Sequence, residues 1–341
     1  MIFILAVLLV LSCYSAKVAR TGQFFEDYLS KSNTTAINGI FVVLVFLCHF
    51  YSYVSFGTTF IDRSFVNFVQ YLGQLVVVTF FFFSGYGMIY SISKKGMPYV
   101  KKIPITRFLR VLLHFDIAIA LFMIMNLFLG HKFPLYYNLL SLIAWESIGN
   151  SNWFIFATLC LYLIVFVSFI ICRGNKYIGT SVTIALTAVL IFLLIKANKP
   201  TFFYNTIFCY PLGMVYGLFK DKIDKIVMKK DWIYLCFLVI TVAGFIIFKY
   251  FGFFYPAAVF FAFSIVFLSM KVRLNNVFLQ FTGKRVFSIY IIQRIPMAIF
   301  KYFGLTAHRY IFFAVTFTLA LLMAYAFDKL ISLLDKKLFD R

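Results

Sequence analysis

The chain has 341 residues, 63% of them hydrophobic and 13% charged, and it carries 48 Phe and 22 Tyr. No soluble core hides that much apolar surface, so the composition excludes a soluble globular protein and predicts an all-α, polytopic membrane protein. The formal net charge of +21 does not point to nucleic acid, because Lys and Arg fall in short gaps between apolar runs and no basic domain stands clear of the membrane.

In chain order, apolar runs of spanning length are predicted near 2–16, 37–56, 69–92, 107–129, 153–172, 177–195, 203–219, 232–251, 253–270, 286–303 and 308–331, about eleven in all. The first is read as a retained helix rather than a signal peptide: no basic residue precedes it and no clean small-residue cleavage site follows. Residues 133–148, with Trp145 and Glu146, are too polar to span and read as a re-entrant or interfacial helix. Twenty-four Lys and Arg occupy one alternating set of gaps and seven the other. The positive-inside rule then puts the N-terminus outside and the C-terminus in the cytoplasm. The six Cys, at 13, 48, 160, 172, 209 and 236, form no CxxC pair and read as small core residues. No gap is long enough to fold alone, so any chemistry takes place in or at the membrane. The chain divides into an N-terminal helix and cytoplasmic linker, 1–30, and one membrane-embedded unit, 31–335.

His49 is the first candidate for chemistry. It interrupts the run Gly39 to Phe50, and an imidazole is costly in a bilayer unless it has partners or a task. At about 1.5 Å per residue it is expected near or just beyond the midplane of a helix running from Ile37 to Phe56. A neutral imidazole there is a plausible general base; the alternative is a core histidine satisfied by one Ser or Tyr. Arg107, Arg110 and His114 follow at i, i+3 and i+7, on one face of a helix. Two guanidiniums at the cytoplasmic boundary, preceded by Lys101 and Lys102, suit a phosphate-rich ligand or, alternatively, lipid headgroups alone. Asp116, deeper in the same run, could orient a histidine or pair with an arginine. Ser84, Gly85, Tyr86 and Gly87 close the third run, where glycine permits close approach of a helix or a ligand. Asn150, Asn152 and Trp153 open the fifth, as an interfacial anchor or a polar pocket mouth. The mid-membrane ionisable set is small: His49, His114, Asp116 and Arg294.

Taken in order, these motifs resemble those of acyltransferase family 3, the integral-membrane acyltransferases that include enzymes O-acetylating surface polysaccharides. The matching pieces are Asn38-Gly39-Ile40 ahead of His49, Phe82-Phe83-Ser84-Gly85-Tyr86, the paired Arg107 and Arg110, Trp153-Phe154-Ile155, and Gly283-Lys284 through Ile289-Tyr290. The resemblance covers about 33–300 and implies a ten-helix core with one additional N-terminal helix, in a bacterial inner membrane. It implies transfer of an acetyl or other acyl group from cytosolic acyl-CoA, with no metal, to a hydroxyl of a cell-surface glycan or lipid-linked sugar. By this resemblance His49 is the general base, while Arg107, Arg110, Ser84, Gly85 and Tyr86 hold acetyl-CoA. Asn38, Asp116, Trp153 and Gln293 would contact substrate. The chain departs from the family pattern twice: Asn38 stands where a basic residue is usual, and Gln293 where a histidine is. The competing readings are a lipid-linked sugar transporter or flippase, a polysaccharide polymerase, or an inactive member of the family.

Overall fold

The computed structural model describes residues 1–339, almost entirely helical. Helices α1 (Ile2–Cys13), α2 (Lys31–Tyr51), α3 (Phe60–Leu72), α4 (Val78–Lys95) and α5 (Met97–Ile103) lead into a π-helical turn, Pro104–Leu109. They are followed by α6 (Arg110–Phe128), α7 (Leu135–Leu142), α8 (Trp153–Ile171), α9 (Lys176–Lys196) and α10 (Cys209–Val227). The last are α11 (Asp231–Tyr250), α12 (Phe254–Lys271), α13 (Val277–Lys284), α14 (Val286–Ile292), α15 (Arg294–Tyr302) and α16 (Arg309–Leu338). A two-residue ladder, Lys17–Val18 against Val272–Arg273, is the one sheet among the described residues.

Eight helical stretches among the described residues are long and apolar enough to cross a membrane, against the eleven expected. The chain is an integral membrane protein, and the three other runs differ for separate reasons. The first forms only the 12 residues of α1, about 18 Å of helix against a hydrocarbon core of about 30 Å. The run at 203–219 begins in a loop, and its helix α10 extends into the charged stretch ending at Val227. The run at 286–303 breaks at Gln293 into α14 and α15. Pro296 explains the break, since it has no N–H to offer the carbonyl of Ile292.

The gaps assigned to one side by charge do meet at one end of the bundle. Lys17 pairs in register with Arg273, Lys271 Nζ donates to Asp231 and to the carbonyls of Arg20 and Gln23, and Arg273 clasps Asp27. The opposite gaps meet at the other end, where Met1 donates to Tyr310 and Arg309 bonds Asp62 at 2.7 Å. These are called the basic end and the far end below.

Two backbone-to-backbone crossings organise the interior. A Cβ on Gly85 of α4 would lie 1.9 Å from the Tyr210 carbonyl oxygen of α10, and one on Gly213 of α10 would lie 2.0 Å from that of Phe82. Gly39 of α2 and Gly283 of α13 are locked in the same reciprocal way, against the carbonyls of Leu279 and Thr35. Only glycine lets helices approach this closely. The sequence motifs Gly39-Ile40, Ser84-Gly85 and Gly283-Lys284 are therefore helix-crossing points. Around them pack Phe81, Phe82, Phe115, Phe122, Tyr210 and Tyr216, all fully buried.

Candidate active site

At the basic end a cavity of about 820 Å³ opens between α2, α4, α5, α8 and α10. Ser84, Tyr86, Gly87 and Arg107 line it, together with Lys31 and Lys220 and the carboxylates Glu26, Asp27 and Asp221. The segment before α2 forms one wall. Tyr28 is buried there, its hydroxyl 2.6 Å from that of Tyr216 and donating to Asp224 at 2.7 Å. Burial pushes that hydroxyl well above its ordinary pKa, so it remains a donor. Lys220 completes the wall by donating to Asp224. Tyr86 and Tyr90 stack in the cavity with centroids 6.2 Å apart.

Arg107 and Arg110, expected on one face, part company. The π-helical turn ending at Leu109 has more residues per turn than an α-helix and so alters the angle between them. Arg107 faces the cavity and its Nε donates to Tyr99 at 3.2 Å. Arg110 turns to α16, its Nε 3.8 Å from Asp335 and its guanidinium over the Phe339 ring. His114 takes the same direction and bonds Asp335 at 2.8 Å, while Arg285 and Ser288 bond Asp328. Asp328 and Asp335, seven residues apart, thus fasten one face of α16 to α6, α13 and α14. Asp116, which could have oriented a histidine or paired with an arginine, does neither: His114 is held by Asp335, and Asp116 Oδ1 is buried without a partner. Gly85, expected beside the donor, faces α10 instead, and Gly87 has the open space.

His49 stands in the last turn of α2, which ends at Tyr51 and not Phe56. It is therefore toward the far end rather than at the middle, about 27 Å along the helix from Lys31. The residue is partly buried. Its Nε2 lies 3.4 Å from Ser151 Oγ, and its Nδ1 is buried without a partner. The Tyr290 ring is 6.1 Å away, centroid to centroid. The Arg294 charge bears on both His49 and Tyr53, while its Nη1 reaches the Gly149 carbonyl at 3.4 Å.

The cavity and the imidazole are separated by aromatic rings. Phe80 and Phe81, one turn beyond Ser84, pack on Phe154 at 5.9 and 4.7 Å, and Phe154 packs on Tyr290 at 5.2 Å. The loop before α8 holds this layer through buried amides: Asn150 Oδ1 accepts from the Ile148 N–H, and Asn152 donates to the Ala144 carbonyl. The Trp153 ring packs on those of Phe154 and Phe202. Asn38 Oδ1 is buried and bare. Gln293 is fully buried, with Nε2 donating to the Tyr290 carbonyl and Oε1 bare.

Sequence reasoning had no role for Ser151, and it noted Tyr290 and Arg294 only as part of a motif and as an intramembrane charge. The signal was an arginine four residues after a tyrosine in an apolar segment, a placement that is costly without a function.

The bundle thus has a cation-lined cavity at one end and a partly buried imidazole beyond a ring layer. The model of the acyltransferase domain of acyltransferase family 3 matches residues 35–328, and the chain belongs to that family. Neither a curated protein nor a solved structure matches the chain significantly.

Proposed function

We propose that the protein transfers an acetyl group, or another acyl group, from acyl-CoA to a hydroxyl of a glycan or lipid-linked sugar. The observation that carries this reading is the pairing of a partly buried His49 with a separate cation-bearing cavity, the two separated by one layer of rings. The basic end is read as cytoplasmic, in a bacterial inner membrane. There Arg107 and Lys31 meet the donor's phosphates, and the stacked Tyr86 and Tyr90 offer a face to its adenine ring. Gly87, with no atom near its missing Cβ, leaves room for the pantetheine arm to pass toward the Phe81–Phe154 layer.

The acceptor approaches from the far end. His49 lies one turn from that end, and a second pocket of about 460 Å³ opens beside it, lined by Tyr51, Ser52, Phe56, Arg63 and Asn67. Rings, hydroxyls and an amide in one concavity suit a sugar. His49 takes the proton of the acceptor hydroxyl as its oxygen attacks the thioester carbonyl carbon. The tetrahedral adduct collapses, the carbon–sulfur bond breaks, and the departing thiolate recovers that proton from His49. The products are an acyl ester and free CoA, with no acyl-enzyme.

The test is thioester turnover by purified protein in nanodiscs given acetyl-CoA and a glycan pool. Free CoA release and labelled acetyl transfer are expected from the wild type and lowered by about 10²–10⁴ in His49→Ala. A folded wild type that neither binds nor turns over acyl-CoA across several acceptor pools would overturn the reading.

A further inference from the structure

Three side-chain donors around His49 are left bare, with one bare acceptor, Gln293 Oε1, beside them. Tyr290 is 1% exposed, and its hydroxyl comes near the Ser151 hydroxyl and the Phe154 amide without completing a hydrogen bond. Arg294 Nε is buried and bare, and no ion pair joins Arg294 to a carboxylate among the described residues. Asn150 Nδ2, in the loop whose Gly149 carbonyl Arg294 touches, is bare as well. All three can donate. A buried donor without an acceptor costs about 1–3 kcal/mol, and more when charged, so the arrangement favours an arriving acceptor of hydrogen bonds, best a negative one.

Tyr290 and Arg294 are also held on one line. Gln293 between them keeps right-handed helical torsions, φ −53° and ψ −27°, although the helix is broken there. Residues four apart therefore stay one above the other on the same face. Gln293 fixes this turn by donating to the Tyr290 carbonyl. Tyr290 lies against His49 on one side and Phe154 on the other, and the Arg294 charge reaches His49 and Tyr53.

We propose that Tyr290 and Arg294 form the oxyanion site of the acyl transfer, an inference that rests on the acyl-transfer reading above. When the acceptor oxygen bonds to the thioester carbon, the carbonyl π pair moves to oxygen. The Tyr290 hydroxyl and the Arg294 guanidinium donate to that oxygen while His49 holds the acceptor's proton. Collapse returns the pair to the carbonyl and expels the thiolate. Donors already fixed and desolvated before the charge forms are the effective ones, because nothing must reorient as it develops. This also assigns a task to Arg294, which no carboxylate pairs with among the described residues.

The experiment is steady-state kinetics of Tyr290→Phe, Arg294→Lys and Arg294→Gln against acetyl-CoA in nanodiscs, with thermal unfolding and acetyl-CoA binding measured on the same samples. Loss of one oxyanion donor is expected to lower kcat by about 10²–10³. Tyr290→Phe should do so with KM and acetyl-CoA affinity unchanged; Arg294→Lys should keep more rate than Arg294→Gln. Tyr290→Phe removes a single oxygen from a packed ring, so it remains readable if Arg294→Gln fails to fold. A wild-type kcat in Tyr290→Phe would overturn the site while leaving acyl transfer standing. KM and stability moving in step with kcat would also overturn it, assigning the pair to packing. A wild type with no acyl-CoA turnover at all would remove the acyl-transfer reading and this site with it.

Discussion

At the Lys31 end of α2 the polar side chains are largely spoken for: Tyr28 by Tyr216 and Asp224, Asp224 by Lys220, Asp231 by Lys271, Asp335 by His114 and Arg110. Around His49, toward the Tyr51 end, His49 Nδ1, Arg294 Nε and the Tyr290 hydroxyl are bare, and none of these three residues is joined to a carboxylate among the described residues. Both regions bury polar groups, and the difference lies in who supplies the partner. Where the protein supplies it, the groups hold helices together. Where it does not, the cost of burial persists until something binds. Arg107 and Arg110 show the same contrast within one helical turn, one lining a cavity and the other fastened to α16.

The largest expected effect tests the bare region. His49→Ala should lower acyl transfer by about 10²–10⁴ without lowering the unfolding temperature; a variant retaining wild-type turnover would remove the base from the mechanism. Next comes the packing beneath the cavity. Gly213→Ala places a methyl 2.0 Å from the Phe82 carbonyl oxygen. It should cost about 1–3 kcal/mol or more, read as lost expression and earlier thermal unfolding, whereas Gly87→Ala, with open space, should unfold like the wild type. If the two behave alike, the crossing of α4 and α10 is not what holds the cavity.

The paired arginines give a smaller and sharper contrast. Arg107→Ala should raise KM for acetyl-CoA about tenfold with kcat little changed, the loss of one charge-assisted contact. Arg110→Ala should leave KM alone and lower stability by up to about 1 kcal/mol, as befits a half-exposed ion pair. Equal effects on KM would return both to one face. The smallest change is expected from Ser151→Ala, a few-fold loss of kcat at constant KM, because its hydroxyl touches His49 at only 3.4 Å. A loss as deep as that of His49→Ala would promote Ser151 from neighbour to participant.

Much of the site was legible along the chain, but with errors of direction. His49 stands out in any hydropathy reading, and its place in the second helix followed from run length. Its height did not, because the helix stops at Tyr51 once Ser52 turns back on the His49 carbonyl. Ser84, Tyr86 and Arg107, which the family resemblance assigned to one ligand, line one cavity. Gly85 does not, since a glycine that admits a ligand and one that admits a helix look alike in sequence. The ring layer and the contact of Ser151 with His49 were invisible, for they join segments seventy residues and more apart.

What the sequence determined by itself is what depends on local composition: an all-α membrane protein, two sides distinguished by charge, an intramembrane histidine and a family pattern over most of the chain. Those follow from transfer energies and helical periodicity, which act residue by residue. The tertiary structure decided which faces meet. It turned Arg110 toward Asp335 through a π-helical turn and assigned three motif glycines to helix crossings. It also brought Ser151, Tyr290 and Arg294 to one imidazole. Those outcomes depend on rotation about helix axes and on close packing between distant segments, and neither is written in the composition of any single run.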